Sequence, residues 1–150
     1  MSLSVNQGGG FFRTRPDVER PDMQLYFSPL SYERAPPNVR ALMRPDPFPG
    51  FLMSVSPCRP TSRGAINIRS GDPAQAPVID ANYLSTAEDV RDLLAGARFL
   101  RRLAATPTMR GIIAEELKPG PGYVDDDGLV ADIRQRAYSV FHPCGTCRMG

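Results

Sequence analysis

The chain has no tryptophan, one histidine, one lysine and only three cysteines among its 150 residues. An odd, small cysteine count argues against a disulfide framework and for a reducing compartment, so a cytoplasmic location is expected. No apolar run approaches the roughly 18 residues of a membrane-spanning helix, which sets aside an integral membrane span. The start, MSLSVNQGGGFF, lacks the basic and then apolar build of a signal peptide. Charge of one sign is lacking too. Eighteen basic residues, seventeen of them Arg, face sixteen acids and leave a net charge of +2. The arginines are dispersed, so no basic stripe forms and no nucleic-acid partner is expected.

What is present is enough for a core. Leu, Ile, Val and Phe supply 34 of the 150 residues, which with so low a net charge lies outside the range of disordered chains. The length suits one domain. Proline and glycine are abundant, 16 and 13 residues, and eight of the prolines lie between Pro29 and Pro60.

Residues 1–20 carry Gly8-Gly9-Gly10 and Pro16 without sustained periodicity and read as an irregular lead-in, with Met1-Ser2-Leu3 fitting a cloning remnant. Asp22–Ser28 reads as a strand. Residues 29–49 hold six prolines, a density that argues against helix and ladder alike. A loop of that length is usually functional or mobile. Residues 50–56 place Phe51, Met53 and Val55 on one face, and residues 65–69 alternate with Ile66 and Ile68 inward. These two are expected to pair antiparallel across a longer loop, with Val78-Ile79-Asp80 as a further short strand.

Helices follow. Ser85-Thr86-Ala87-Glu88 reads as a capping box, and Val90, Leu93, Leu94, Ala97, Leu100 and Ala104 keep helical spacing as far as Pro107. A shorter helix is expected over 108–117 and another over 126–137, with Asp125-Asp126-Asp127 capping it rather than binding a divalent cation. Strands first and helices afterwards point to an α+β domain, an antiparallel sheet with helices against it. Neither a dinucleotide-binding G-x-G-x-x-G nor a phosphate-binding G-x-x-x-x-G-K-[ST] is present.

The only histidine, His142, lies beside Cys144-Gly145-Thr146-Cys147. A C-x-x-C redox pair wants the first cysteine at a helix N-terminus after a strand, and the chain stops before a helix could form. His142, Cys144, Cys147 and distant Cys58 have the ligand count of a Cys3His zinc site, but Cys58 lacks a close-spaced partner, so no metal site is expected. A lone histidine is often a hydrogen-bonded core residue; as a functional one it would be a group that titrates near neutrality.

His142-Pro143-Cys144-Gly145-Thr146-Cys147-Arg148-Met149-Gly150 resembles the H-P-x-G-T-x-R-M-G stretch of the glucose–methanol–choline (GMC) flavoprotein oxidoreductases. Further blocks resemble the family in order. They are Pro21-Asp22-Met23-Gln24 with Phe27-Ser28-Pro29; Arg59-Pro60-Thr61-Ser62-Arg63-Gly64; Ser70-Gly71-Asp72-Pro73; Pro77-Val78-Ile79-Asp80-Ala81-Asn82-Tyr83-Leu84; and Glu88-Asp89. The resemblance spans residues 21–150 and implies a substrate-binding domain, an antiparallel sheet of about six strands flanked by helices, lying over the FAD isoalloxazine. It implies that His142 faces the flavin and accepts the hydroxyl proton of a small-molecule alcohol, choline among the candidates, while hydride passes to the flavin. Pro143, Gly145 and Thr146 would shape the turn beside the cofactor. The family's flavin domain and its second catalytic His or Asn have no counterpart here. The chain is therefore expected to be a fragment whose partner is the missing FAD-binding domain, and to bind no FAD and turn nothing over by itself. Arg59, Arg63, Asp72 and Asn82 are expected to hold turns, and Tyr83 and Phe51 to pack in a core. The reading from a different class is a non-catalytic interaction or thiol-redox module using Cys144 and Cys147.

Overall fold

A glycine-led strand comes first. The computed structural model describes residues 6–33, 44–140 and 142–144. In it, β1 (Gly8–Phe12) runs antiparallel to β2 (Met23–Ser28), from Gly8↔Phe27 to Phe12↔Met23. The lead-in is thus not wholly irregular. Three glycines have no side chains to show an alternation, yet their backbone groups complete a ladder.

Two short strands, β3 (Tyr32–Glu33) and β4 (Arg44–Pro45), form a two-residue ladder of their own. It corrects the expectation of no ladder over 29–49: proline lacks a donor, and so short a ladder demands little of Pro45. Then β5 (Leu52–Pro57) pairs with the free side of β2, and the order is β1-β2-β5.

The pairing expected between 50–56 and 65–69 does not occur. Beyond β5 the Cys58 N–H donates to the Asp22 carbonyl at 2.8 Å, and the Arg59 guanidinium donates to the carbonyls of Arg20 and Pro21. The chain therefore stays beside β2 up to residue 59. It then builds a separate ribbon from β6 (Ala65–Asn67) and β7 (Val78–Asp80). The described residues hold sheets of three, two and two strands in place of one sheet of about six. Pro45 and Pro57 close β4 and β5, Pro29 follows β2 and Pro77 precedes β7, strand ends where the missing N–H costs the ladder little. Ile66 and Ile68, expected inward, are exposed.

Among the described residues the helices are α1 (Ala87–Ala104), α2 (Pro107–Arg110) and α3 (Asp126–Arg136). The chain divides into two compact units, Met1–Arg59 with Ala95–Ile112 and Pro60–Leu94 with Ile113–Gly150. In the first, Met23 is fully buried. Gly96 of α1 lies so close to the sheet that a Cβ there would stand 2.9 Å from Val55 Cγ2 and 3.4 Å from Met23 Cε. Phe99 stacks on Phe12 with ring centroids 3.8 Å apart, and the Arg102 guanidinium lies 5.8 Å from the Phe99 ring centre. Phe51 packs on Phe27, as expected of an aromatic in a core. The helix expected over 108–117 stops after one turn. Gly111 and then Ile112 return their N–H groups to Pro107 and Met109, and a glycine followed by two β-branched residues extends a helix poorly.

In the second unit Leu129 of α3 is buried, and Asp132 beside it takes a bidentate ion pair from Arg136 one turn on. Asp125 caps α3, its carboxylate accepting the Gly128 N–H at 2.7 Å. Asp125→Ala is expected to weaken this end by about 1 kcal/mol, read as roughly fivefold faster hydrogen exchange of the Gly128 amide.

Candidate functional site

Asp89, in the first turn of α1, is 4% exposed. A buried carboxylate must be saturated with donors. Its Oδ1 accepts the Thr61 N–H at 2.7 Å and the Thr61 hydroxyl at 2.8 Å, and its Oδ2 accepts the Ser62 N–H at 2.9 Å. Burial alone would raise its pKa. Hydrogen bonds from the side chain and amide of Ser62 and from the amide and side chain of Thr61 outweigh it and hold the carboxyl down at about 2.

The protons can be placed. The Thr61 hydroxyl spends its single proton on Asp89, so in the 2.6 Å contact with Thr86 the Thr86 hydroxyl donates. Thr86 Oγ1 in turn accepts the Asp89 N–H at 3.3 Å. The cap of α1 is therefore Thr86 with Asp89, one residue later than the expected Ser85 and Glu88. The Ser62 Oγ takes the amides of Ser85 and Thr86, at 3.0 and 3.3 Å. That fixes the register from outside the helix.

The same latch fixes the base of the β6–β7 ribbon. Asn82, at φ 48°, donates from its side chain to the Arg63 carbonyl at 2.8 Å. A Cβ on Gly64 would stand 2.1 Å from the Asp80 carbonyl oxygen, so only glycine fits. Arg63 donates to the carbonyls of Pro60 and Ser62, and Asp72 accepts the Ala74 N–H. Arg59, Arg63, Asp72 and Asn82 all hold turns and strand ends. Tyr83 is exposed, against the core placement expected for it. A comparable carboxylate, Asp22, accepts the Thr14 amide at 2.8 Å and the Thr14 hydroxyl. Burial would raise its pKa, but these bonds lower it.

The latch reaches α3 through Arg134, whose guanidinium donates to the carbonyl of Leu84, itself at φ 57°. Leaving α3 the chain extends, with Ala137 at φ −61°, ψ 147° and no strand over 137–140. His142, Pro143 and Cys144 are exposed. Gly145 and Thr146, expected beside the cofactor, lie outside the described residues, as does Cys147.

An exposed imidazole that follows a braced helix can take a proton from a ligand laid against it. The 150 residues hold no G-x-G-x-x-G stretch. The thiols support less. Burial pushes the Cys58 thiol up, away from the thiolate that a metal needs. Among the described residues no group of three His, Cys, Asp or Glu is placed to hold a metal ion, and no helix is long and apolar enough to cross a membrane. Sequence reasoning missed the latch. Asp89, Thr61 and Ser62 carried no signal beyond their places in matched blocks.

Residues 60–150 match the model of the GMC oxidoreductase C-terminal domain. An alcohol dehydrogenase (acceptor) of Pseudomonas putida is 35% identical over 150 residues, all of this chain and 26% of that protein. An oxygen-dependent choline dehydrogenase of Proteus mirabilis is 36% identical over 96% of this chain and 25% of its own length. Pyridoxine 4-oxidase from Mesorbium loti shares the fold, with a TM-score of 0.76 at 22% identity over 99% of this chain and 28% of that one. The chain spans about a quarter of the length of these relatives.

Proposed function

The chain belongs to the GMC oxidoreductase family, and from that premise we propose that it is the substrate-binding domain of an FAD-dependent enzyme oxidising the CH–OH group of an alcohol. The observation that carries this reading is the exposed His142 on the segment leaving α3. Relatives named alcohol and choline dehydrogenases, similar over nearly the whole chain, support the substrate class.

A neutral imidazole at position 142 accepts the hydroxyl proton as the carbinol carbon gives up hydride and becomes a carbonyl. FAD, when bound, supplies the hydride acceptor. On this reading Pro143, Gly145 and Thr146 belong to the stretch of the site that faces the cofactor. The latch acts at one remove: Asp89 fixes the start of α1 and the Leu84 turn, and Arg134 ties that turn to the helix leading to His142.

The FAD-binding domain is the partner on this reading, belongs to the same polypeptide, and holds the dinucleotide. The 150 residues by themselves bind no FAD and are inactive, and the enzyme works in the cytoplasm. The test is a near-ultraviolet and visible absorbance spectrum of the full-length protein, with and without a panel of primary alcohols including choline. A flavin band that bleaches with one of them is the expected result and names the substrate. Absence of any flavin band after cofactor-supplemented purification would overturn the proposal.

A further inference from the structure

We propose that one face of the β6–β7 ribbon is the surface on which the remainder of the same polypeptide docks; this rests on the reading of the chain as one domain of a longer enzyme. Ile66 and Ile79 stand directly opposite each other across the ribbon. They are 56% and 69% exposed, and Ile68, which continues the alternation past Ile66, is 87% exposed. Ala65, Asn67, Val78 and Asp80 take the alternate positions. The ribbon is therefore sided, with an isoleucine stripe on one face and a mixed face of smaller apolar and polar groups on the other.

A two-stranded ribbon is at best marginally stable in water and needs its apolar face covered. This one is held at its base, where Asn82 bonds the Arg63 carbonyl and Gly64 lies against the Asp80 and Ala81 carbonyls. The setting is consistent. Among the described residues only Met23 and Leu129 are buried large apolar side chains, while the exposed ones include all three isoleucines of the stripe. Contiguous exposed apolar groups of this kind mark contact sites.

Size identifies the occupant. A self-paired ribbon would bury three isoleucines per copy, far below the roughly 800 Å² per partner of a stable association between separate chains. Docking within one polypeptide has no such threshold, because connectivity keeps the two parts at high effective concentration. About three-quarters of each relative's length lies outside the matched stretch, ample for a covering surface.

The experiment uses the full-length holoenzyme. A photo-crosslinking residue is placed at Ile68 (Ile68→benzoylphenylalanine), and the product is mapped by mass spectrometry. Crosslinks within one polypeptide, to residues outside this 150-residue stretch, are expected. A product of doubled mass would assign the face to a second copy, and crosslinks confined to these 150 residues would remove the docking site; either overturns the proposal. Hydroxyl-radical footprinting of the unmodified enzyme covers the case in which the variant does not fold. The peptides with Ile66, Ile68 and Ile79 are expected to react about tenfold or more slowly than in urea, as buried side chains do, and equal rates would overturn the proposal. Flavin bleaching by alcohol, read on the same preparation, separates the two ideas. Bleaching with an unprotected ribbon sinks the docking face alone, and a protected ribbon without flavin sinks the catalytic reading alone.

Discussion

Replacing His142 by alanine in the full-length enzyme is expected to lower kcat for alcohol oxidation by about 10²-fold or more, the usual worth of a positioned general base. The loss falls on kcat because alanine removes the proton acceptor and leaves the rest of the alcohol's contacts in place. Flavin content should be unchanged, since on the proposed reading the FAD-binding domain holds the dinucleotide. Cys144→Ser is the matched control. It alters the side chain two residues away without touching the imidazole, and its kcat should stay near that of the parent. A thiol-redox module would reverse this order. Loss of less than roughly tenfold in the His142→Ala enzyme would remove the residue from the chemistry.

The second large effect belongs to Asp89. Asp89→Ala removes the acceptor of the Thr61 and Ser62 amides and of the Thr61 hydroxyl, and leaves buried donors without partners. The expected cost is about 3 kcal/mol, the scale of a lost charged hydrogen-bond acceptor in a buried site. It is measured as a lower urea midpoint of the full-length protein at unchanged m. The same carboxylate makes stability depend on pH. Its folded pKa is about 2 against an ordinary 3.8, so its contribution is fully present above pH ~4 and is lost as the pH falls toward ~2. That contribution is about 2 kcal/mol. In a urea series over that acid range the parent should lose stability with falling pH, and Asp89→Ala should lose about 2 kcal/mol less. An unchanged acid slope in the variant would show that Asp89 is not the titrating group.

Much of the local structure was legible from residue types. The 3.6-residue spacing from Val90 to Ala104 gives α1, the Asp125 cap with two acids behind it gives α3, and the alternation at 50–56 gives β5. Each signal is local: it depends on side chains a few residues apart on one element. Where side chains are absent or ambiguous the signal fails, as at β1, whose glycines show no alternation, and at 108–117, where periodicity continues past Gly111 while the helix does not. His142 was legible for a different reason. It is the lone histidine, set in a nine-residue stretch with family character, and the whole-chain similarity to the GMC relatives bears out the family.

Pairing and burial belong to the tertiary structure. The alternation at Ile66 and Ile68 is correct as a strand pattern, but a period of two shows only that two faces differ, not which face is covered. Cys58 and Arg59 bond back to residues 20–22, and residues 65–67 pair with 78–80 instead of with β5. The cap of α1 moved one residue because the Ser62 hydroxyl, more than twenty positions earlier, takes the amides of Ser85 and Thr86. The sequence by itself determined the α+β class, the helices α1 and α3, and the family. Only the tertiary structure decided the strand partners, the exposed ribbon and the Asp89 latch, because hydrogen bonds between residues far apart in the chain leave no periodic trace in it.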